Sequence, residues 1–353
     1  MPPTSGLLEA LAVVAAIGAA VATAWLWDGA RLRAVRRVGG LLLCAATALA
    51  AVGVGVNREM RLYPGWADVV GQRTDVRTTP PPRQVAVRRG RSEVVPWGFV
   101  GRQSRIAHPA YVYLPAAYLG REGQRLRFPV IEVLAGFPGG PRSWLDRLRL
   151  RKVIDREIRA GRMSPAVVVL PVQTRSPFRD SECVDAVGGD RYDTYLSADL
   201  REALGAAFRV RTDRDGWGVA GYSTGGFCAV NLTVRHPDQY AAAASLSGYF
   251  SPLSDATTGD LYRGDVAARH ANDPVWRFAH GQAPNVALYL AAARDDAPAL
   301  RQIGQLTAVT RPPTQVTTAL VSGGGHTFPA WAALAPAALD WVSAHLATCA
   351  PGA

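Results

Sequence analysis

Cysteine is scarce: Cys44, Cys183, Cys228 and Cys349 are all that 353 residues contain. None forms a C-x-x-C pair or sits in a Cys/His cluster, which argues against a zinc site. Acidic residues are in the minority, 28 against 39 Lys and Arg, for a formal charge of +11 carried almost wholly by arginine. Such a balance suits nucleic acid, but no zinc-finger, helix-turn-helix or aromatic-basic motif accompanies the scattered arginines. A basic surface facing an anionic membrane or envelope polymer fits the charge as well, and so does plain arginine use with no polyanionic partner. Internal repeats are absent. No Lys or Arg precedes Leu7, so the start lacks the basic n-region of a secretory signal peptide.

Long apolar runs are present. Leu7 to Trp27 is broken only by Glu9, Gly18 and Thr23, and Val38 to Val56 is a second run rich in Ala, Gly, Leu and Val. About 20 such residues cross a bilayer. Between the runs lies Asp28 to Arg37, with arginines at 31, 33, 36 and 37. Positive charge favours the cytoplasmic side, so the loop is expected inside and both the N-terminus and everything after Asn57 outside. Small residues on both runs would let the helices approach closely. A signal peptide and a buried helical hairpin are the competing readings. Residues 1–56 are thus expected to be a two-helix membrane hairpin. Residues 57–93, with Tyr63-Pro-Gly-Trp66, Pro80-Pro-Pro82 and many arginines, read as a juxtamembrane linker, whose arginines can touch anionic headgroups.

Patterning changes at Val94. Ala110–Pro115, Phe128–Ala135, Ala166–Leu170, Tyr240–Ser247, Val286–Ala293 and Thr314–Val321 read as strands. Helical spacing runs through Leu145–Ala160, Tyr192–Phe208, Pro298–Val309 and Trp331–Leu346. Fully apolar strands alternating with helices imply a mainly parallel sheet covered on both faces, over residues 94–349.

Within this frame Trp217-Gly-Val-Ala-Gly-Tyr-Ser-Thr-Gly-Gly-Phe-Cys228 reads as a strand, a G-x-S-x-G turn and a helix. That is the pattern of a nucleophile elbow, with Ser223 held at a helix N-terminus; a plain helix N-cap is the bland alternative. A serine hydroxyl needs a base. His326, in Ser322-Gly-Gly-Gly-His-Thr-Phe328, follows a strand, and its glycines let the imidazole swing over the serine. His236 is expected to cap the elbow helix; His108, His270, His280 and His345 have no comparable setting. The base in turn needs a carboxylate. Asp296 and Asp295 both follow the Val286–Ala293 strand and stay open as candidates; counting from Leu290 favours Asp296. A turn or helix cap is the other use for such a pair. For the tetrahedral intermediate, the expected backbone donors are the N–H groups of Thr224 and of Phe137, in Gly136-Phe-Pro-Gly-Gly140. Cys183 and Cys228 flank this region. In an oxidising compartment they would pair, and otherwise they are buried thiols.

Taken together, Gly136-Phe-Pro-Gly-Gly-Pro-Arg-Ser-Trp-Leu-Asp146, Ser181-Glu-Cys-Val-Asp185, Thr194-Tyr-Leu-Ser-Ala-Asp199, Gly221–Gly226, Arg235-His-Pro-Asp238, Leu246-Ser-Gly-Tyr249 and Gly324–Phe328 resemble the esterase branch of the α/β-hydrolases that includes esterase D and the secreted mycolyltransferases. The match runs from about Val94 to Leu346, and the leading apolar runs are similar to those of membrane-tethered members. The resemblance implies an α/β-hydrolase fold, Ser223 as nucleophile, His326 as base, an aspartate at 295 or 296 as acid, and an oxyanion hole near Phe137 and Thr224. Three departures stand out. Ala135 replaces the histidine that many relatives place before the oxyanion-loop glycine. Alanines replace the usual glycine before the acid. The glutamate of mycolyltransferases is not evident.

These features lead to the expectation of a membrane-anchored serine esterase, outside the cytoplasm, acting on an ester or lipid substrate without metal or cofactor. An envelope acyltransferase with a sugar or lipid acceptor, and a non-catalytic lipid- or protein-binding module, are the alternatives. Acyl length, acceptor, any lid and oligomeric state are not legible.

Overall fold

The computed structural model describes residues 1–27, 33–60, 66, 91–176 and 178–352. The chain divides into two compact units, Met1–Asp75 and Val76–Ala353. Part of the arginine-rich loop, Tyr63-Pro-Gly and Pro80–Pro82 lie outside the described residues.

In the first unit two helices, α1 (Gly6–Trp25) and α2 (Arg33–Met60), pack antiparallel. Thr23 Oγ1 lies 3.4 Å from Cys44 Sγ at one end, and Arg58 pairs with Glu9 at the other. A Cβ on Gly40 would fall 2.6 Å from Thr23 Cγ2, so the axes approach closely where glycine permits it. Gly6–Trp25 and Arg33–Arg58 each contain an 18-residue stretch with a mean hydropathy of 2.1, and each has the length to cross a membrane. At ~1.5 Å rise per residue, α1 spans about 30 Å, the thickness of a hydrocarbon core.

The second unit is built on strands β1 (Glu93–Val100), β2 (Ala107–Leu114), β3 (Leu126–Arg127), β4 (Val130–Leu134), β5 (Val167–Pro171), β6 (Trp217–Tyr222), β7 (Ala242–Leu246), β8 (Ala287–Ala293), β9 (Gln315–Val321) and β10 (Ala350–Pro351). One eight-stranded sheet has the order β1-β2-β5-β4-β6-β7-β8-β9. From β5 to β9 every neighbouring pair is parallel; β1 and β2 form an antiparallel edge. A short β3–β10 ladder lies apart from it. β1 went unread in the sequence: Pro96 and Gly98 interrupt its alternation, and an edge strand tolerates both.

Why the strands look so apolar is visible in β5. Val167 and Val169 enter one core, Val168 and Leu170 the other. The first core takes side chains from helices α4 (Leu200–Ala207), α5 (Thr224–Arg235) and α8 (Ala297–Val309). The second takes them from α3 (Leu150–Arg159) and α9 (Phe328–Ala344). With helices on both faces, neither face needs polar residues. This is the α/β-hydrolase architecture expected above.

Two of the expected helices are less regular than their spacing suggests. Ser143–Arg147 makes one wide turn, closed by the Leu148 N–H on the Ser143 carbonyl, and Arg149 turns left-handed (φ 50°) before α3 begins. The break lets Trp144 bury fully while its Nε1 donates to the Leu134 carbonyl at 2.9 Å. Tyr195–Asp199 is a similar wide turn leading into α4. Two helices not read in the sequence, α6 (Val266–Ala271) and α7 (Pro274–His280), start on Asp265 and Asp273, whose side chains cap them.

Candidate active site

Parallel strands end on one edge, so the loops after β4, β6, β8 and β9 open on the same side of the sheet. β6 is buried throughout and turns sharply at Ser223 (φ 55°, ψ −125°) into α5. That backbone region is strained for any residue with a Cβ. The turn is possible because its flanks are glycine. A Cβ on Gly221 would lie 2.0 Å from the Gly225 carbonyl oxygen, and one on Gly225 2.2 Å from that of Leu134. The Ser223 N–H is tied to the Leu246 carbonyl at 2.9 Å.

His326 reaches this serine from three strands away. Its loop leaves β9 through Gly324 and Gly325, both at positive φ (115° and 57°), which only glycine adopts freely. His326 Nε2 lies 2.9 Å from Ser223 Oγ, and Nδ1 lies 3.0 Å from Asp296 Oδ2. The Trp331 ring meets the imidazole edge-on at 5.1 Å. The Asp296 side chain is 1% exposed, and its other oxygen accepts the Ala299 N–H at 3.3 Å, capping α8. One carboxylate thus orients the imidazole and starts a helix.

Asp295, the other candidate, is not on the imidazole. It accepts the N–H groups of Gly325 (2.8 Å) and Gly324 (3.1 Å), which hold its carboxyl below the usual range. Adjacent residues leaving a strand point in different directions, so only one of the pair faces His326.

Elsewhere the histidines serve packing. His236 ends α5 as expected, and Nε2 lies 2.6 Å from Asp193 Oδ1; Arg235 is 2.8 Å from Oδ2. Burial alone would raise the Asp193 carboxyl, but His236 and Arg235 hold it below its ordinary value. His108 bonds the Tyr192 hydroxyl, His270 and His280 stack on Trp276, and His345 stacks on Trp341.

The turn after β4 lies against the serine: a Cβ on Gly136 would be 2.8 Å from Ser223 Cβ. Among the described residues, neither the Phe137 N–H nor the Thr224 N–H donates to a backbone carbonyl.

Three side chains between β5 and α4, those of Gln173, Asp180 and Glu182, make contacts that the sequence did not reveal. Gln173, 5% exposed, accepts the Ala135 N–H at 2.9 Å and donates to the Ala135 carbonyl at 2.6 Å. Thr224 Oγ1 donates to Asp180 at 2.8 Å. Glu182 accepts the Tyr249 hydroxyl at 2.8 Å and the Leu253 N–H at 2.9 Å. Burial pushes Asp180 up to about 6 and Glu182 up to about 8. Cys183 and Cys228 are joined in a disulfide, Cα to Cα 5.6 Å. Ser181–Asp185 stood among the resembling motifs, but nothing in its spacing reveals these contacts.

Comparison with known proteins agrees with the geometry. A ferulic acid esterase structure superposes with a TM-score of 0.62 at 22% identity, covering 72% of this chain and 98% of that one. An S-formylglutathione hydrolase from Agrobacterium tumefaciens gives 0.61 at 14% identity, with 72% and 96% covered. In sequence, an uncharacterized protein of Corynebacterium glutamicum is 27% identical over 248 residues, 67% of this chain and 57% of that relative. An esterase of Mycobacterium tuberculosis is 31% identical over 93 residues, 26% of this chain and 20% of the relative. The chain therefore spans little more than half the length of these curated relatives, and less of some. The family model described as Putative esterase matches residues 107–344, from β2 through the last residue of α9. The chain belongs to this Putative esterase family, with the α/β-hydrolase fold.

Proposed function

We propose that this protein is a membrane-anchored serine hydrolase that cleaves carboxylic esters through an acyl-enzyme on Ser223. The observation that carries the reading is the imidazole of His326 lying within hydrogen-bond reach of both Ser223 Oγ and Asp296. With its proton on Nδ1, the imidazole donates to Asp296 and leaves Nε2 free to accept the serine proton. Ser223 Oγ then attacks the ester carbonyl, and the proton moves to Nε2. The negative charge that develops on the carbonyl oxygen is met by the N–H groups of Phe137 and Thr224. The imidazolium gives the proton to the leaving alcohol as the tetrahedral species collapses. A second alcohol or water, deprotonated by the same nitrogen, then releases the acyl group.

Water as acceptor makes an esterase; a sugar or lipid alcohol makes an acyltransferase. The His326 side chain is 47% exposed, open to either. Residues 1–56 serve as the anchor, 57–93 as a juxtamembrane segment and 94–349 as the catalytic part. Two helices of membrane-crossing length support the anchor. The Cys183–Cys228 bond supports an oxidising, extracytoplasmic setting.

A fluorophosphonate probe tests the chemistry. The full-length protein is expected to label at Ser223, and Ser223→Ala to lose both labelling and ester turnover. A well-folded wild type that does not label would favour a silent binding module. Adding a sugar acceptor during ester hydrolysis separates the two enzymatic outcomes by the appearance of transferred acyl product. Protease added to intact cells should digest the catalytic part; full protection would overturn the placement.

A further inference from the structure

The segment from Gln173 to Cys183 touches both sides of the oxyanion site. At its start the Gln173 carboxamide grips a single residue twice, through the N–H and the carbonyl of Ala135. Ala135 is the residue before the Gly136-Phe137 turn. Its carbonyl is pressed on the elbow, because a Cβ on Gly225 would come within 2.6 Å of it. Farther along, Ser181 Oγ donates back to the Gln173 carbonyl, Asp180 takes the Thr224 hydroxyl, and Cys183 is bonded to Cys228 in α5. One donor is thereby tied through Gln173 and the other through Asp180, by the same stretch of chain. An ordinary loop anchor would need one of these ties.

We propose that Gln173 is a positioning residue for acyl transfer, which sets the Phe137 N–H against Ser223 so that the two oxyanion donors keep one spacing. This rests on reading Ser223 as the nucleophile. The residue type follows from the task. Both a donor and an acceptor are required toward one residue, and a neutral amide of this length supplies them at every pH. A carboxylate in its place could not donate to the Ala135 carbonyl, and it would set a negative charge beside the oxygen that becomes negative in the transition state.

The test is the kinetics of full-length protein in detergent on a soluble aryl ester, with kcat and KM read separately. Gln173→Met keeps the length and removes both bonds. It is expected to lower kcat about 10- to 100-fold and leave KM within about 3-fold, since an oxyanion donor acts mainly in the transition state. Gln173→Glu, assayed at about pH 9 so that a carboxyl buried like Glu182 is ionised, is expected to lower kcat further than Gln173→Met at the same pH, an ordering that a purely structural anchor would not produce. If Gln173→Met does not fold, Gln173→Asn, one methylene shorter, serves with the same expected split. Folded variants with wild-type kcat, or with Glu equal to Met, overturn the proposal. Ser223→Ala is the control: if it stays active, the nucleophile reading itself fails. If it is dead while Gln173→Met turns over normally, only the positioning role is lost.

Discussion

At the scale of single residues, two adjacent aspartates divide two tasks. Asp296 is buried on the imidazole and Asp295 is exposed on the glycine loop that carries the imidazole. Asp296→Asn leaves the shape but offers the imidazole a donor in place of an acceptor, favouring the wrong tautomer. Its kcat is expected to fall by about 10³- to 10⁴-fold. Asp295→Asn keeps one acceptor oxygen toward the two N–H groups and is expected to lose less than about 10-fold. Side-by-side kinetics of the two variants check this; equal losses would contradict the division of roles. From the sequence, Asp296 was favoured only by counting strand residues. That count depends on where β8 stops, and no local pattern marks the point.

At the scale of elements, the disulfide joins the loop that holds Asp180 and Glu182 to α5, the helix that follows Ser223. Cys183 and Cys228 are 45 residues apart. Closing a loop of that length is worth about 4 kcal/mol in the chain-entropy account. The paired change Cys183→Ser with Cys228→Ser is expected to lower the Tm by roughly 10 °C. Thermal melts with and without reductant check it: the wild type should shift under reductant and the double variant should not. The strands β4 to β8 were legible in the sequence because both of their faces are buried and each is a short apolar run. β1 was not, because at the sheet edge a strand can carry Pro96 and Gly98. The wide turns at Ser143–Arg147 and Tyr195–Asp199 were read as plain helix, since burial pattern alone does not report a change of hydrogen-bond register.

For the whole molecule, buried carboxyls set how stability follows pH. Glu132, wholly buried in β4 beneath the Tyr240 hydroxyl at 3.2 Å, is pushed by burial from its ordinary 4.5 to about 8. Glu182 moves to about 8 and Asp180 to about 6 for the same reason. Each binds its proton more tightly folded than unfolded. Their contribution is complete below the unfolded values and is lost as pH rises through the folded ones. Asp193 runs the other way, and its share is lost only as pH falls through its depressed value. The catalytic unit is thus expected to be less stable at about pH 8.5 than at about pH 5.5. Glu132→Gln, neutral throughout, should flatten that slope. Urea midpoints at the two pH values check this, and an unchanged slope in the variant would refute it.

The amino-acid order alone determined the layout: two apolar runs ahead of an alternating α/β chain, a G-x-S-x-G turn after one strand and a glycine-flanked histidine after another. Those signals are local, because periodicity and turn chemistry act over a few residues. Which aspartate meets His326, where β1 pairs, and how Gln173 reaches Ala135 and Asp180 reaches Thr224 were decided only in three dimensions. The Asp296, Gln173 and Asp180 contacts join groups 30 or more residues apart, and β1 finds its partner only across the turn to β2. Such contacts are set by strand order and packing, which no short stretch of sequence records.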